Sequence, residues 1–121
     1  EYNTDWVCNL TELDLRRNQL TSLPESIGNL TNLTHLNLRL NRITSIPETI
    51  GNLQRLQCLD ISQNYRNFEL PDSIGDLTNL TLLNVSTNKI TKIPESIGNL
   101  TQLQNVLFYK VNSLLAKKKY F

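Results

Sequence analysis

Residues 10–30 read LTELDLRRNQLTSLPESIGNL, and this stretch decides the fold because close copies follow at 33–53, 56–77 and 80–100. All the prolines and glycines of the chain stand at one phase of this unit, at steps of 23, 24 and 23 residues: Pro24, Pro47, Pro71, Pro94, Gly28, Gly51, Gly75 and Gly98. Proline fixes the backbone φ angle and glycine frees it. A chain that places both at a single phase is an array of one supersecondary unit.

The first half of each unit predicts a short strand. Leu13 and Leu15 are two residues apart, so they point to one side of an extended chain while Glu12 and Asp14 point to the other. One such strand cannot bury its apolar face, but stacked copies cover one another. The second half predicts a short helical turn that has proline at a first-turn position and an acid after it, near the positive end of the peptide dipoles.

An asparagine recurs after each predicted strand, and we interpret this column as structural. A buried amide needs hydrogen-bond partners, and the turn backbone of adjacent coils would supply them. The column consists of Asn18, Asn41, Asn64 and Asn88.

Over residues 7–108 the pattern L-x-x-L-x-L-x-x-N-x-L-x-x-L-P resembles the leucine-rich repeat family. The LPxxIGNL half is similar to repeats of plant intracellular Ras-group, scribble-like and bacterial proteins. The resemblance implies an α/β fold: a right-handed solenoid with short parallel strands on its concave face and short helical turns or loops on its convex face. We expect one domain, 1–121, made of a partial coil at 1–9, full repeats at 10–32, 33–55, 56–79 and 80–102, and a degenerate repeat and tail at 103–121.

The charge and hydropathy of the chain exclude two classes of partner. The formal net charge is +1, which gives no bulk argument for binding nucleic acid or an anionic membrane. No stretch approaches the roughly 20 apolar residues of a membrane span, so we predict no membrane insertion.

The cysteines and the glycosylation motifs point to different compartments. Cys8 and Cys58 are about two repeats apart, roughly 10 Å, whereas a disulfide needs Cα atoms within about 7 Å. Extracellular leucine-rich repeat proteins usually carry cysteine-rich caps, and the absence of such a cluster favours a reducing compartment. Six N-x-Ser/Thr motifs oppose this: Asn9, Asn29, Asn32, Asn79, Asn84 and Asn99. Most of them recur with the repeat, and we predict an intracellular location over a secreted or cell-surface one.

We predict a non-catalytic module that binds a protein or peptide on the exposed strand positions. Arg16 and Arg39 fall on neighbouring strands, where like charges repel each other. A carboxylate or phosphate of a partner would offset that repulsion, and the alternative is that Asp14 and Asp60 neutralise it. The candidate contacts are Glu12, Asp14, Arg16, Arg17, His35, Asn37, Arg39 and Asp60.

Two smaller groups of residues are further candidates. The third repeat has one extra residue, and its Tyr65 and Arg66 are either edge contacts or part of a tolerated bulge that sends Phe68 into the core. Near the C-terminus an apolar group is either a second contact or the cover of a terminal cap: Leu82, Leu107 and Tyr109.

Glu12, His35 and Cys58 share one column in the order of an acid–base–thiol relay. An open sheet offers neither oxyanion donors nor a water-excluding pocket, and a zinc ion would find at most three donors. We therefore predict no enzyme, no metal and no cofactor. The alternative functions are a secreted or surface receptor fragment for a glycan or lipid-bearing ligand, and a spacer within a longer array. The N-terminal coil shows no polar cap, which raises the hypothesis of self-association through the ends.

Overall fold

The computed structural model describes residues 9–67, 69–90 and 92–107. Each repeat contributes one three-residue strand, and the strands form a parallel sheet in chain order. They are β1 (Glu12–Asp14), β2 (His35–Asn37), β3 (Cys58–Asp60), β4 (Leu82–Asn84) and β5 (Asn105–Leu107). This sheet and the helical turns between its strands are the predicted α/β solenoid.

The strand register confirms the columns predicted from the repeat spacing. Glu12 lies beside His35 in the pairing of β1 with β2, and His35 lies beside Cys58 in the next pairing. The extra residue of the third repeat does not change the register, because Cys58 pairs with Leu82 across a step of 24 residues.

A five-residue 3-10 helix follows each of the first four strands. Pro24 precedes the first helix with an extended backbone (φ −70°, ψ 155°), and its carbonyl oxygen accepts the Ile27 N–H at 3.0 Å. Proline is therefore the N-cap residue, which immediately precedes the first helical residue and accepts the first-turn hydrogen bond. The helices span Glu25–Asn29, Glu48–Asn52, Asp72–Asp76 and Glu95–Asn99. Within the described ranges, none of the helices has the length and hydropathy needed to cross a bilayer.

Gly28, Gly51 and Gly75 allow neighbouring coils to approach each other, and none of the four glycines has a positive φ. A Cβ atom added to Gly75 would stand 2.5 Å from the carbonyl oxygen and 2.6 Å from the Cβ of Ser96 in the next coil. Glycine is therefore required at this position for lack of a side chain and not for a left-handed backbone. Positive φ occurs instead at residues with side chains: Arg17, Gln19, Leu40, Gln63, Tyr65 and Thr87.

The core lies between the sheet and the 3-10 helices and consists of the repeated leucines and isoleucines. Leu36, Leu38 and Ile50 of the second repeat are at most 1% exposed, whereas Leu13 and Leu15 of the first are half-buried. Fully burying such a side chain contributes about 1.5–3 kcal/mol. The inner repeats therefore hold most of the apolar stabilisation.

The asparagine column is buried and hydrogen-bonded as predicted, except in the first repeat. Asn64 is 1% exposed, and its Oδ1 accepts the Ile43 N–H at 2.9 Å. Asn18 is exposed; its Nδ2 donates to the Arg16 carbonyl oxygen, and its backbone N–H donates to the Asn41 Oδ1. The predicted core residue Phe68 lies outside the described residues, as does Cys8, while Cys58 is a half-buried free thiol.

Candidate functional site

The second exposed column of the sheet consists of the last residue of each strand. The Asp14 Oδ1 accepts the Arg16 N–H at 3.1 Å, and the Asp60 Oδ1 accepts the Ser62 N–H at 2.9 Å. Such a bond turns the backbone two residues beyond the Asp or Asn. The same bond recurs in all four full repeats, at Asp14, Asn37, Asp60 and Asn84. These side chains, three of them predicted as partner contacts, therefore have a structural role, which the recurrence of Asp or Asn at this position would have indicated.

Arg16 and Asp14 form an ion pair within one coil. The Arg16 Nε donates to both carboxylate oxygens of Asp14, at 2.9 and 3.0 Å, and its Nη2 lies 2.8 Å from Oδ2. The side-chain hydrogen bond from Arg16 is the main cause that lowers the pKa of Asp14 below its usual 3.8, and the same bond raises the pKa of Arg16. The charge of Arg16 is thus compensated by its neighbour.

Arg39 and Arg17 have no carboxylate partner among the described residues. The Arg39 Nε donates to the Gln63 Oε1 at 2.8 Å, across to the next coil. The Arg17 backbone N–H donates to the Arg39 carbonyl oxygen at 3.2 Å, which holds the two residues side by side. The repulsion between Arg16 and Arg39 had two predicted remedies, an anionic group of a partner or neutralisation by Asp14 and Asp60. At Arg16, the charge is neutralised by Asp14.

A cavity of about 500 Å³ opens at the ends of β1 and β2. Its lining combines four charged side chains with one aliphatic side chain: Asp14, Arg16, Arg17, Arg39 and Leu40. Leu40 was not among the predicted contacts, although it occupies the same repeat position as Arg17 and shares its positive φ. With Asp14 and Arg16 paired, the cavity presents two positive charges beside a half-buried leucine.

The acid–imidazole–thiol column is open and loosely arranged. The Glu12 Oε1 lies 3.8 Å from the His35 Nδ1, and that nitrogen is 2.8 Å from the Thr34 hydroxyl. His35 and Glu12 are exposed, and Cys58 is half-buried. Over the part of the chain that the structure describes, no group of three or more His, Cys, Asp or Glu side chains could hold a metal ion.

The remaining predicted contacts lie apart from the cavity. Tyr65 is 56% exposed, and Arg66 beside it is also exposed. Leu82 on β4 is half-buried and Leu107 on β5 is 48% exposed. Tyr109, predicted to join them, lies outside the described residues.

Solved structures with this fold include several receptors. The chain is similar to the plant peptide hormone receptor RGFR1 in complex with RGF2 (38% identity, TM-score 0.75, 86% of this chain and 17% of that one). It is also similar to a leucine-rich repeat protein of Leptospira interrogans (36%, 0.72, 86% and 28%). A third similar structure is the ectodomain of the membrane receptor kinase GASSHO1/SCHENGEN3 from Arabidopsis thaliana, in complex with CASPARIAN STRIP INTEGRITY FACTOR 2 (33%, 0.74, 84% and 13%).

The chain thus spans between 13% and 28% of the length of these three structures. One of them is an ectodomain, so these similarities do not favour the intracellular location predicted from the cysteines. No sequence among the curated proteins matches this chain. The family model for a leucine-rich repeat region matches residues 2–68 and 25–118. The chain therefore belongs to the leucine-rich repeat family.

Proposed function

We propose that this chain is a non-catalytic recognition module that binds a protein or peptide through the exposed face of its sheet, with the arginine cavity as the leading contact. The observation that carries the proposal is the pair of guanidinium groups, Arg17 and Arg39, beside Leu40 in a cavity of about 500 Å³. Two of the similar structures are receptors solved in complex with a named ligand, and one of these is a peptide hormone receptor.

The chemistry of the cavity selects an anionic group next to an apolar one. A guanidinium group presents its N–H donors in a planar fork that fits a carboxylate. Arg39 uses its Nε on Gln63, which leaves its terminal nitrogens for a ligand, and Arg17 makes no side-chain hydrogen bond within the described ranges. Leu40 supplies the apolar contact. The ligand is therefore a peptide with an acidic group next to an aliphatic side chain.

The size of the sheet limits the ligand. Five strands at about 4.8 Å make a face on the order of 20 Å across the strands. A standard interface takes about 800 Å² from each partner, which a face of this length just supplies. A peptide or single helix of modest length fits this module, and a larger ligand requires further repeats.

The proposal excludes catalysis because the candidate relay has no supporting environment. The sheet face around Glu12, His35 and Cys58 is open, so water has free access to any reacting group. Acyl transfer also needs hydrogen-bond donors directed at the developing oxyanion. In a parallel sheet the backbone N–H groups already donate to the neighbouring strands.

A second candidate function is the same recognition performed outside the cell, as part of a receptor. The ectodomain structure favours it, as does the exposure of Asn29 and Asn99 at the ends of two 3-10 helices. Protein purified from its source and measured by intact mass decides between the compartments. Added hexose and N-acetylhexosamine at either residue supports the extracellular function, and a bare-chain mass excludes it.

The recognition proposal is tested by paired affinity capture from source material. One bait is the native chain, and the other carries Arg17→Gln and Arg39→Gln. We expect a protein held by the native bait to be lost from the variant, because two ligand-facing charges are gone. The recovered protein is then titrated against both chains, and we expect at least tenfold weaker binding by the variant.

A matched control removes the same net charge far from the cavity. Ser26→Glu and Thr78→Glu change exposed residues away from the sheet face and also lower the charge by two. Circular dichroism and thermal unfolding establish that all three baits are folded. Equal capture by native chain and cavity variant, or equal loss with the control, would contradict the proposal.

A further inference from the structure

Charge is segregated between two surfaces of the solenoid. Every described cation except Arg55 lies between the end of a strand and the next proline, and we name this surface the basic edge: Arg16, Arg17, Arg39, Arg42, Arg66, Lys89 and Lys92. The 3-10 helices carry acids and no cation: Glu25, Glu48, Asp72, Asp76 and Glu95. In the described residues the basic edge and the acids of the helices therefore lie on different surfaces.

Backbone hydrogen bonds join residues of the basic edge to the neighbouring coils. The Arg42 N–H donates to the Leu20 carbonyl oxygen at 2.8 Å, and the Lys89 N–H donates to the Arg66 carbonyl oxygen at 3.1 Å. Coils bonded in this way repeat at about 4.8 Å. The basic edge is therefore a row with at least one cation in each coil rather than a set of scattered charges.

The basic-edge cations outside the cavity have no ion-pair partner among the described residues. Arg42, Arg66, Lys89 and Lys92 are exposed, and none of them makes a side-chain hydrogen bond or ion pair with the described residues. Glu69 is the one acid in the same stretches; it is also exposed and forms no ion pair with the described residues. Like charges stacked on neighbouring coils repel one another, so an anionic ligand along the row would relieve this repulsion.

We infer that the basic edge binds an acidic peptide segment of a partner protein, which lies across the coils with its carboxylates on Arg42, Arg66 and Lys89. The basic edge includes the arginines of the cavity, but Arg42, Arg66 and Lys89 are not part of the cavity lining, so the inference does not rest on the proposed function. Single-stranded nucleic acid is the lesser fit, because its binding needs several aromatic side chains for base stacking. Tyr65 is the one aromatic side chain that the described residues place there.

The test is fluorescence anisotropy with a labelled peptide of ten glutamates at about 20 mM salt. The variant carries Arg42→Gln, Arg66→Gln and Lys89→Gln. We expect it to bind at least fivefold more weakly than the native chain. We also expect the native affinity to fall steeply by about 200 mM salt, because exposed charges are screened.

A charge-matched control carries Gln57→Glu, Thr78→Glu and Gln102→Glu, which are exposed positions outside the basic edge. It lowers the net charge by the same three units, and we expect less than a twofold change. Equal weakening in both variants would reduce the effect to bulk charge and overturn the inference. No binding by the native chain, or tighter binding of a ten-residue oligothymidylate, would overturn it as well.

A cavity variant separates this inference from the proposed function. Arg17→Gln with Arg39→Gln removes the two unpaired charges of the cavity and leaves Arg42, Arg66 and Lys89 in place. A larger loss of decaglutamate binding in the edge variant than in the cavity variant supports the basic edge. Loss confined to the cavity variant overturns this inference and leaves the proposed function standing.

Discussion

Replacement of Asn64 by alanine tests whether the buried amide column holds the coils together. Asn64 is 1% exposed, and its Oδ1 accepts the Ile43 N–H at 2.9 Å. Its Nδ2 donates to the carbonyl oxygens of Leu38, Ile61 and Ser62 at 3.2, 2.8 and 3.2 Å. The variant Asn64→Ala removes all four bonds from a site that water does not reach.

The loss in free energy of unfolding depends on which groups keep another hydrogen-bond partner. Each of the three carbonyl oxygens accepts a second hydrogen bond, from the Asn41 Nδ2, the Asn88 Nδ2 and the Leu40 N–H respectively. Only the Ile43 N–H is left without an acceptor, which costs about 1–3 kcal/mol. The lost amide contacts add about 1 kcal/mol, so we expect the free energy of unfolding to fall by about 2–4 kcal/mol.

The matched control is Asn18→Ala, at the same position of the first repeat. The exposed Asn18 side chain donates one hydrogen bond, and the backbone bond to Asn41 survives the substitution, so the variant should lose less than about 1 kcal/mol. Urea unfolding followed by circular dichroism, analysed by linear extrapolation, measures both variants against the native chain. A cost for Asn64→Ala no larger than that for Asn18→Ala would refute the reasoning.

Three further predictions concern a close contact, an ion pair and a strained residue. Gly75→Ala places a Cβ 2.5 Å from a carbonyl oxygen of the next coil, so thermal unfolding should show a loss of about 1–3 kcal/mol; exposed Gly98→Ala should show none. Folding lowers the pKa of Asp14, so its contribution to stability is complete above pH 3.8 and disappears as the pH falls through the lower folded value. An NMR titration should show this pKa rising in Arg16→Gln, and an unchanged value would contradict the assigned cause. Tyr65 has a φ of 57° and an exposed side chain, so Tyr65→Asn should leave stability unchanged or raise it by up to about 1 kcal/mol; a measured loss above about 1 kcal/mol would contradict this.

Much of the candidate site could be predicted from the sequence, because the repeat spacing places residues in columns. Arg16 and Arg39 were predicted in this way as neighbours on adjacent strands, and Arg17 as a further contact on the same face. The role of Asp14 was only half predicted: its proximity to Arg16 was considered, but its bond to the backbone N–H was not. Side-chain partners on the surface depend on rotamers and on local backbone angles, which a spacing pattern does not contain.

The sequence by itself determined the repeat period, the strand register and the buried leucine and asparagine columns, because each follows from a residue pattern that recurs every 23 or 24 positions. Only the tertiary structure determined that position 75 has no room for a side chain, and which cations have partners. Gly75 stands against Ser96 in the following coil, and Arg39 reaches Gln63 in the next one. Such contacts are set by distances between coils of a few ångströms, and these exist only once the coils have stacked.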